Sequence, residues 1–171
     1  MGRREEILEI LKSLGKPIKG IDLSKKFQVS RQVIVQDIAI LRASGENILA
    51  TLQGYSIPKN HEKGKIQKSI VCIHEGYDEI EDELQTIIDL GGSVIDVLVD
   101  HPIYGEINSQ LQIYSRYDIE QFVEGLKSTK AEPLSLLTGG VHIHTIEADD
   151  EETIIRIKNS LLNKNYLIKE D

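Results

Sequence analysis

The order in which hydrophobic periods follow one another across residues 69–171 constrains this chain more than any other feature. Ser69 to His74 is apolar and β-branched, which predicts a strand. Tyr77 to Leu90 carries a helical stripe, and Gly91-Gly92 ends it. Ser93 to Val99 reads as a buried strand, and Asp100-His101-Pro102-Ile103-Tyr104-Gly105 as a turn. Glu106 to Ile113 alternates, with Ile107, Leu111 and Ile113 on one face. Ser115 and Asp118 form a capping pair for a helix bearing Ile119, Phe122, Val123 and Leu126. After Pro133 comes the strand Gly139 to Glu147, and Asp149-Asp150-Glu151-Glu152 opens a helix that leads to Leu162. Tyr166-Leu167-Ile168 suits a short last strand. The order β-α-β-β-α-β-α predicts an α+β open-faced sandwich, an antiparallel sheet with helices packed on one face.

In the two common solutions of this pattern, ferredoxin-like and phosphocarrier-like, the first and fourth strands are neighbours. His74, ending the first, then lies beside His142 and His144 on the fourth. Alternate strand residues share a face roughly 6–7 Å apart, close enough for both rings to reach one cation at about 2 Å. On the intervening helix Ile80, Leu84, Ile87 and Ile88 define the buried face, and Asp82 points nearly opposite, into water. Glu83 lies on the flank, bordered by Ile80, Ile87 and Leu90, where a carboxylate is costly unless paired or bound to a metal. Imidazole with carboxylate suits nickel, zinc or iron(II), so one divalent transition metal ion per subunit is expected. Cys72 shares parity with His74 and is either a further ligand or an inert buried thiol. His101 and Tyr104 in the turn are candidate effector contacts, with simple turn structure as the plainer reading of His101.

The first half has a different character. Residues 1–70 hold 13 Lys/Arg against 7 Asp/Glu, whereas residues 71–171 hold 7 against 21. A basic half on an acidic chain points to nucleic-acid contact confined to one domain. Arg3 to Leu14 shows a helical stripe, broken at Gly15-Lys16-Pro17. Lys19 to Phe27 is a second short helix, Gln28-Val29 a tight turn, and Ser30 caps a third helix, Arg31 to Ala43. Ile34, Ile38 and Leu41 face its core, leaving Gln32 and Gln36 side by side on the outside, suited to base edges in a major groove. Arg31 flanks them, and Arg3, Arg4, Lys19, Lys25 and Arg42 are candidate phosphate contacts. Ile48 to Ile57 reads as a hairpin turning near Gln53-Gly54, which completes a winged helix-turn-helix. The expected DNA-binding set is Ser30, Arg31, Gln32, Gln36 and Arg42, within a domain at residues 1–58. Residues 59–68 form a polar linker with a solvated His61, and residues 69–171 a second domain that carries the candidate metal site.

The single cysteine rules out an intrachain disulfide framework and fits a reducing cytoplasm. The N-terminus is charged from Arg3 onward with no apolar run after it, and no window approaches 18 uninterrupted apolar residues, so neither a secretion signal nor a membrane span is expected.

The stretch Val29 to Ile38, with Gly54-Tyr55, resembles the DNA-binding domain of the biotin-operon repressor and its relatives. The second half resembles the three-histidine (3H) domain of nicotinate-responsive transcriptional repressors. The matching pieces are His74 with Glu83-Leu84, Gly91-Gly92, His101 to Glu106, Glu132-Pro133-Leu134, and Gly139 to Ala148. The resemblance covers nearly the whole chain. It implies a cytoplasmic homodimer that binds double-stranded operator DNA, senses nicotinic acid and controls niacin uptake or NAD biosynthesis and salvage genes. It also implies a metal held by His74, Glu83, His142 and His144, although the spacing from His74 to Glu83 is one residue longer than the family pattern. Nicotinate would sit beside the metal or coordinate it directly. The alternative on the same architecture is a metal-dependent repressor sensing another small molecule. The rival class is an enzyme, a metal-dependent hydrolase, but no separate acid/base is evident and a metallohydrolase barrel does not fit in about 100 residues. A phosphocarrier-like histidine is a second rival. The expectation is a regulator, not an enzyme.

Overall fold

A computed structural model describes residues 2–58 and 64–169. The expectation for His61 falls outside them. The chain forms two compact units, Met1–Glu62 and Lys63–Asp171.

The first unit contains α1 (Arg3–Leu14), α2 (Gly20–Phe27), α3 (Arg31–Ala43) and the strands β1 (Leu49–Thr51) and β2 (Gly54–Ser56). The turn into α3 is set by Gln28, in the left-handed conformation, and by Ser30, whose Oγ accepts the Val33 N–H at 3.3 Å. Ile7, Leu11, Leu23, Ile34, Ile38, Leu41 and Ile48 form the core. Asp37 on α3 is buried and gripped by Arg3 of α1, with Nε to Oδ2 at 2.6 Å and a second bond of 3.3 Å. The β1–β2 wing hangs from Ile18, whose N–H and C=O both bond Tyr55 at 2.9 Å. Gly54 makes that approach possible. Its φ is +124°, and a Cβ would lie 2.2 Å from the Ile18 carbonyl oxygen.

The second unit runs β3 (Ile66–Ile73), α4 (Tyr77–Asp89), β4 (Ser93–His101), β5 (Gly105–Ile113), α5 (Arg116–Thr129), a 3-10 turn (Leu134–Thr138), β6 (Val141–Ala148) and α6 (Glu151–Asn163). Its sheet has the order β3-β6-β4-β5, antiparallel throughout, so the first and fourth strands are neighbours. β3 begins at Ile66 instead of Ser69, because it pairs with β6 from Ile66↔Ala148 to Ile73↔Val141. The 3-10 turn is too short to announce itself by periodicity. Tyr166–Ile168 forms a bridge instead of a full strand: Leu167 faces Cys72, Ile73 N–H bonds the Tyr166 carbonyl at 2.8 Å, and Ile168 N–H the Val71 carbonyl at 2.9 Å. It covers part of the β3 edge that would otherwise be unpaired. The core between sheet and helices is built on Ile70, Leu84, Ile87, Val94, Ile113, Ile119, Ile146, Ile154 and Ile157. Among the described residues no helix is long and apolar enough to cross a membrane.

Candidate metal centre and DNA-reading helix

His142 and His144 sit on the helix-facing side of β6, opposite Cys72 and Ile70 of β3. His74 lies just past the end of β3, and its N–H bonds the Gly140 carbonyl at 3.3 Å. Gly140 has φ +91°, and a Cβ there would come within 2.6 Å of the His74 carbonyl oxygen, so glycine is what lets the two strand ends meet. Glu83 comes from the middle of α4 and is 1% exposed, deeper than the flank position on the helix wheel suggests. Its Oε2 meets Nε2 of His74 and lies 3.3 Å from Nε2 of His142 and 3.6 Å from Nε2 of His144. The structure thus brings His74, Glu83, His142 and His144 together. Asp82 is half-exposed instead and binds Lys164 Nζ and the Tyr166 hydroxyl, both at 2.8 Å.

Two carbonyls fix the imidazoles. His142 Nδ1 donates to Gly140 O at 2.8 Å, and His144 Nδ1 to Asp96 O at 2.6 Å. A carbonyl only accepts, so both rings carry a hydrogen on Nδ1, and Nε2 faces the carboxylate as a lone pair in the neutral ring and as an N–H donor in the protonated one. The lone-pair arrangement is repulsive unless positive charge sits among the donors. Burial works against the Glu83 carboxylate, yet His144 and hydrogen bonds from the three imidazoles hold it well below the usual range. Burial likewise works against charge on His144, and Glu83 raises its pKa. Glu83 Oε1 and His74 Nδ1 are buried with no hydrogen-bond partner in the structure. Convergent imidazoles, a carboxylate with a spare oxygen and carbonyls orienting two rings from behind are a donor set that fits a divalent transition metal. Cys72 is also close: its Sγ, a Glu83 oxygen and a His142 ring nitrogen all lie within 4.8 Å of one another. Burial pushes its thiol pKa up, and Glu83 adds to the effect.

A cavity of about 180 Å³ opens beside the cluster, lined by His74, Glu83, His142 and His144 at one end and by apolar residues including Leu111, Phe122 and Leu126. His101 and Tyr104 do not line it. They occupy the β4–β5 hairpin tip, where His101 Nδ1 accepts the N–H groups of Ile103 and Tyr104 at 3.2 Å and the two rings meet at a tilt of 35° with centroids 4.9 Å apart. Sequence reasoning missed Asp96 and Gly140, which act through backbone carbonyls and leave no side-chain signature.

On α3, Arg31, Gln32 and Gln36 are exposed while Ile34, Asp37 and Ile38 are buried, so the two glutamines stand on the free face. Ser30 is occupied as the cap. Arg42 is exposed, but its Nε donates to Ile48 O at 2.8 Å and ties down the chain entering β1. Arg3 is committed to Asp37. Arg4, Lys19 and Lys25 remain exposed cations.

Two family models match along the chain. Residues 3–56 match the profile of an HTH domain, and residues 67–170 that of the 3H domain. A probable transcription repressor, NiaR of Thermotoga maritima, is 43% identical over 168 residues, covering 98% of this chain and 94% of the relative. The transcription repressor NadR of Bacillus subtilis is 41% identical over 172 residues, again covering 98% and 94%. An HTH unit followed by a 3H unit, with relatives of this identity aligned along nearly the full length, places the chain in the NiaR/NadR-type family of DNA-binding transcription repressors.

Proposed function

We propose that this repressor is a cytoplasmic homodimer that responds to nicotinic acid and controls genes of niacin uptake or NAD synthesis and salvage. One nickel, zinc or iron ion per subunit is held by His74, Glu83, His142 and His144. Gln32 and Gln36 read base edges in the operator, with Arg31 and the Ser30-capped helix start against the backbone and Arg42 bracing the wing approach. The observation that carries the effector reading is the cavity: it is lined by apolar residues such as Leu111, Phe122 and Leu126, which suit an aromatic ring, and by the imidazole–carboxylate cluster. A cation there would draw the carboxylate of nicotinate. The hairpin-tip residues His101 and Tyr104 are left out of this effector site, since they lie away from that cavity.

A ligand switches a repressor only through unequal affinity for two states, so nicotinate must favour one geometry of the dimer. Calorimetry of the metal-loaded protein with nicotinate, nicotinamide and quinolinate tests the reading. Nicotinate should bind and neutral nicotinamide should not. Absence of heat with nicotinate, or equal binding of both, overturns it.

A further inference from the structure

We infer that Cys72 supplies a thiolate ligand to the metal of this site, alongside the imidazoles and Glu83. The inference deepens the metal reading above and rests on it. Cys72 is fully buried and is the antiparallel partner of His142, with its side chain on the face that the imidazoles share. Its Sγ, a Glu83 oxygen and a His142 ring nitrogen lie within 4.8 Å of one another, close enough for small side-chain shifts to bring all three onto one ion at about 2.0–2.3 Å from each donor.

A buried cysteine is ordinarily a small inert hydrophobe. Cys72 also has a carboxylate within reach: an oxygen of the buried Glu83 lies within 4.8 Å of its Sγ, and Glu83 Oε1 has no hydrogen-bond partner in the structure. Cys72 belongs to the same apolar core as Ile70 and is at the same time within reach of the imidazole–carboxylate cluster. On coordination the Cys72 S–H bond yields its proton to solvent and Sγ donates an electron pair to the cation, whose oxidation state does not change. A thiolate makes the donor set softer than imidazole and carboxylate alone. That favours zinc, nickel and cobalt over magnesium, calcium and manganese.

The test is titration of the untagged, metal-free, full-length protein with cobalt(II), in buffer without thiols, followed by absorption. Visible ligand-field bands report binding at the site. A near-ultraviolet thiolate-to-cobalt charge-transfer band reports sulfur, and because the chain has one cysteine the wild-type spectrum assigns it without a variant. Both sets of bands should rise together and saturate at one equivalent. Cys72→Ala should keep the visible bands, lose the ultraviolet band and bind zinc at least about tenfold more weakly. Visible bands without the charge-transfer band in the wild type overturn the sulfur ligand and leave the metal site standing. No spectral change at all overturns both.

Discussion

Replacing Glu83 with glutamine keeps the side chain's size but removes the carboxylate whose Oε2 faces all three imidazoles. At free zinc one hundred times the dissociation constant, binding stabilises the native state by about 2.7 kcal/mol. For a unit the size of Lys63–Asp171, about 1 kcal/mol moves the melting temperature by roughly 4 °C, so zinc should raise its transition by about 11 °C. Even outer-shell changes at metal sites cost up to about 100-fold in affinity, and loss of a charged ligand should cost at least that. The same free zinc then equals the dissociation constant, leaving about 0.4 kcal/mol, or about 2 °C. Calorimetric scans of wild type and Glu83→Gln, each with zinc and with chelator, measure the two shifts. The chelated samples give each protein its own baseline, which separates loss of metal from damage to the fold. A Glu83→Gln shift as large as the wild-type shift would refute the claim that this carboxylate holds the ion.

The metal-free protein should respond to pH in the opposite sense from the loaded one. His144 is raised above 6.5, so its contribution to stability is present below that value and is lost as pH rises through its folded pKa; Glu83 is lowered, so its contribution is lost only in acid. Metal binding needs deprotonated imidazoles, so zinc stabilisation should grow over the window in which the chelated protein weakens, as urea midpoints at about pH 6 and pH 8 would report. Gly140→Ala should lower stability by about 1–3 kcal/mol, through positive φ and contact with the His74 carbonyl, and should weaken zinc binding with it; an unchanged urea midpoint would count against that constraint. Gln36→Ala should cost about 1–3 kcal/mol on operator DNA and relax preference at one base position, while Lys25→Ala should weaken binding to all sequences and reduce the salt slope by about one. Anisotropy titrations over a range of salt separate those two behaviours.

Much of the site was legible because its donors follow simple periods. His142 and His144 two apart on one strand, and Glu83 rather than Asp82 on a helix face, follow from backbone geometry alone. The helix-turn-helix was readable for a similar reason: Ser30 is a good cap, and the Ile34, Ile38, Leu41 stripe leaves only one face for Gln32 and Gln36. What stayed hidden depends on tertiary pairing. Pairing with β6 extends β3 back to Ile66 through polar residues that look like linker. The Asp96 and Gly140 carbonyls orient imidazoles without any sequence mark. Arg3 reads as a phosphate contact, but Asp37, buried on α3 34 positions later, is what it grips. His101 looks functional beside Pro102, yet its ring nitrogen is taken up by the two N–H groups of its own turn.

We propose that a metal-dependent effector site governs operator binding. Fluorescence anisotropy of a labelled promoter duplex from a niacin-transport or NAD-synthesis gene tests it most directly, with and without nicotinate, on metal-loaded and chelated protein. Nicotinate should change operator affinity by at least about fivefold in the loaded protein and not in the chelated one. An equal response in both, or none in the loaded protein, would contradict the account.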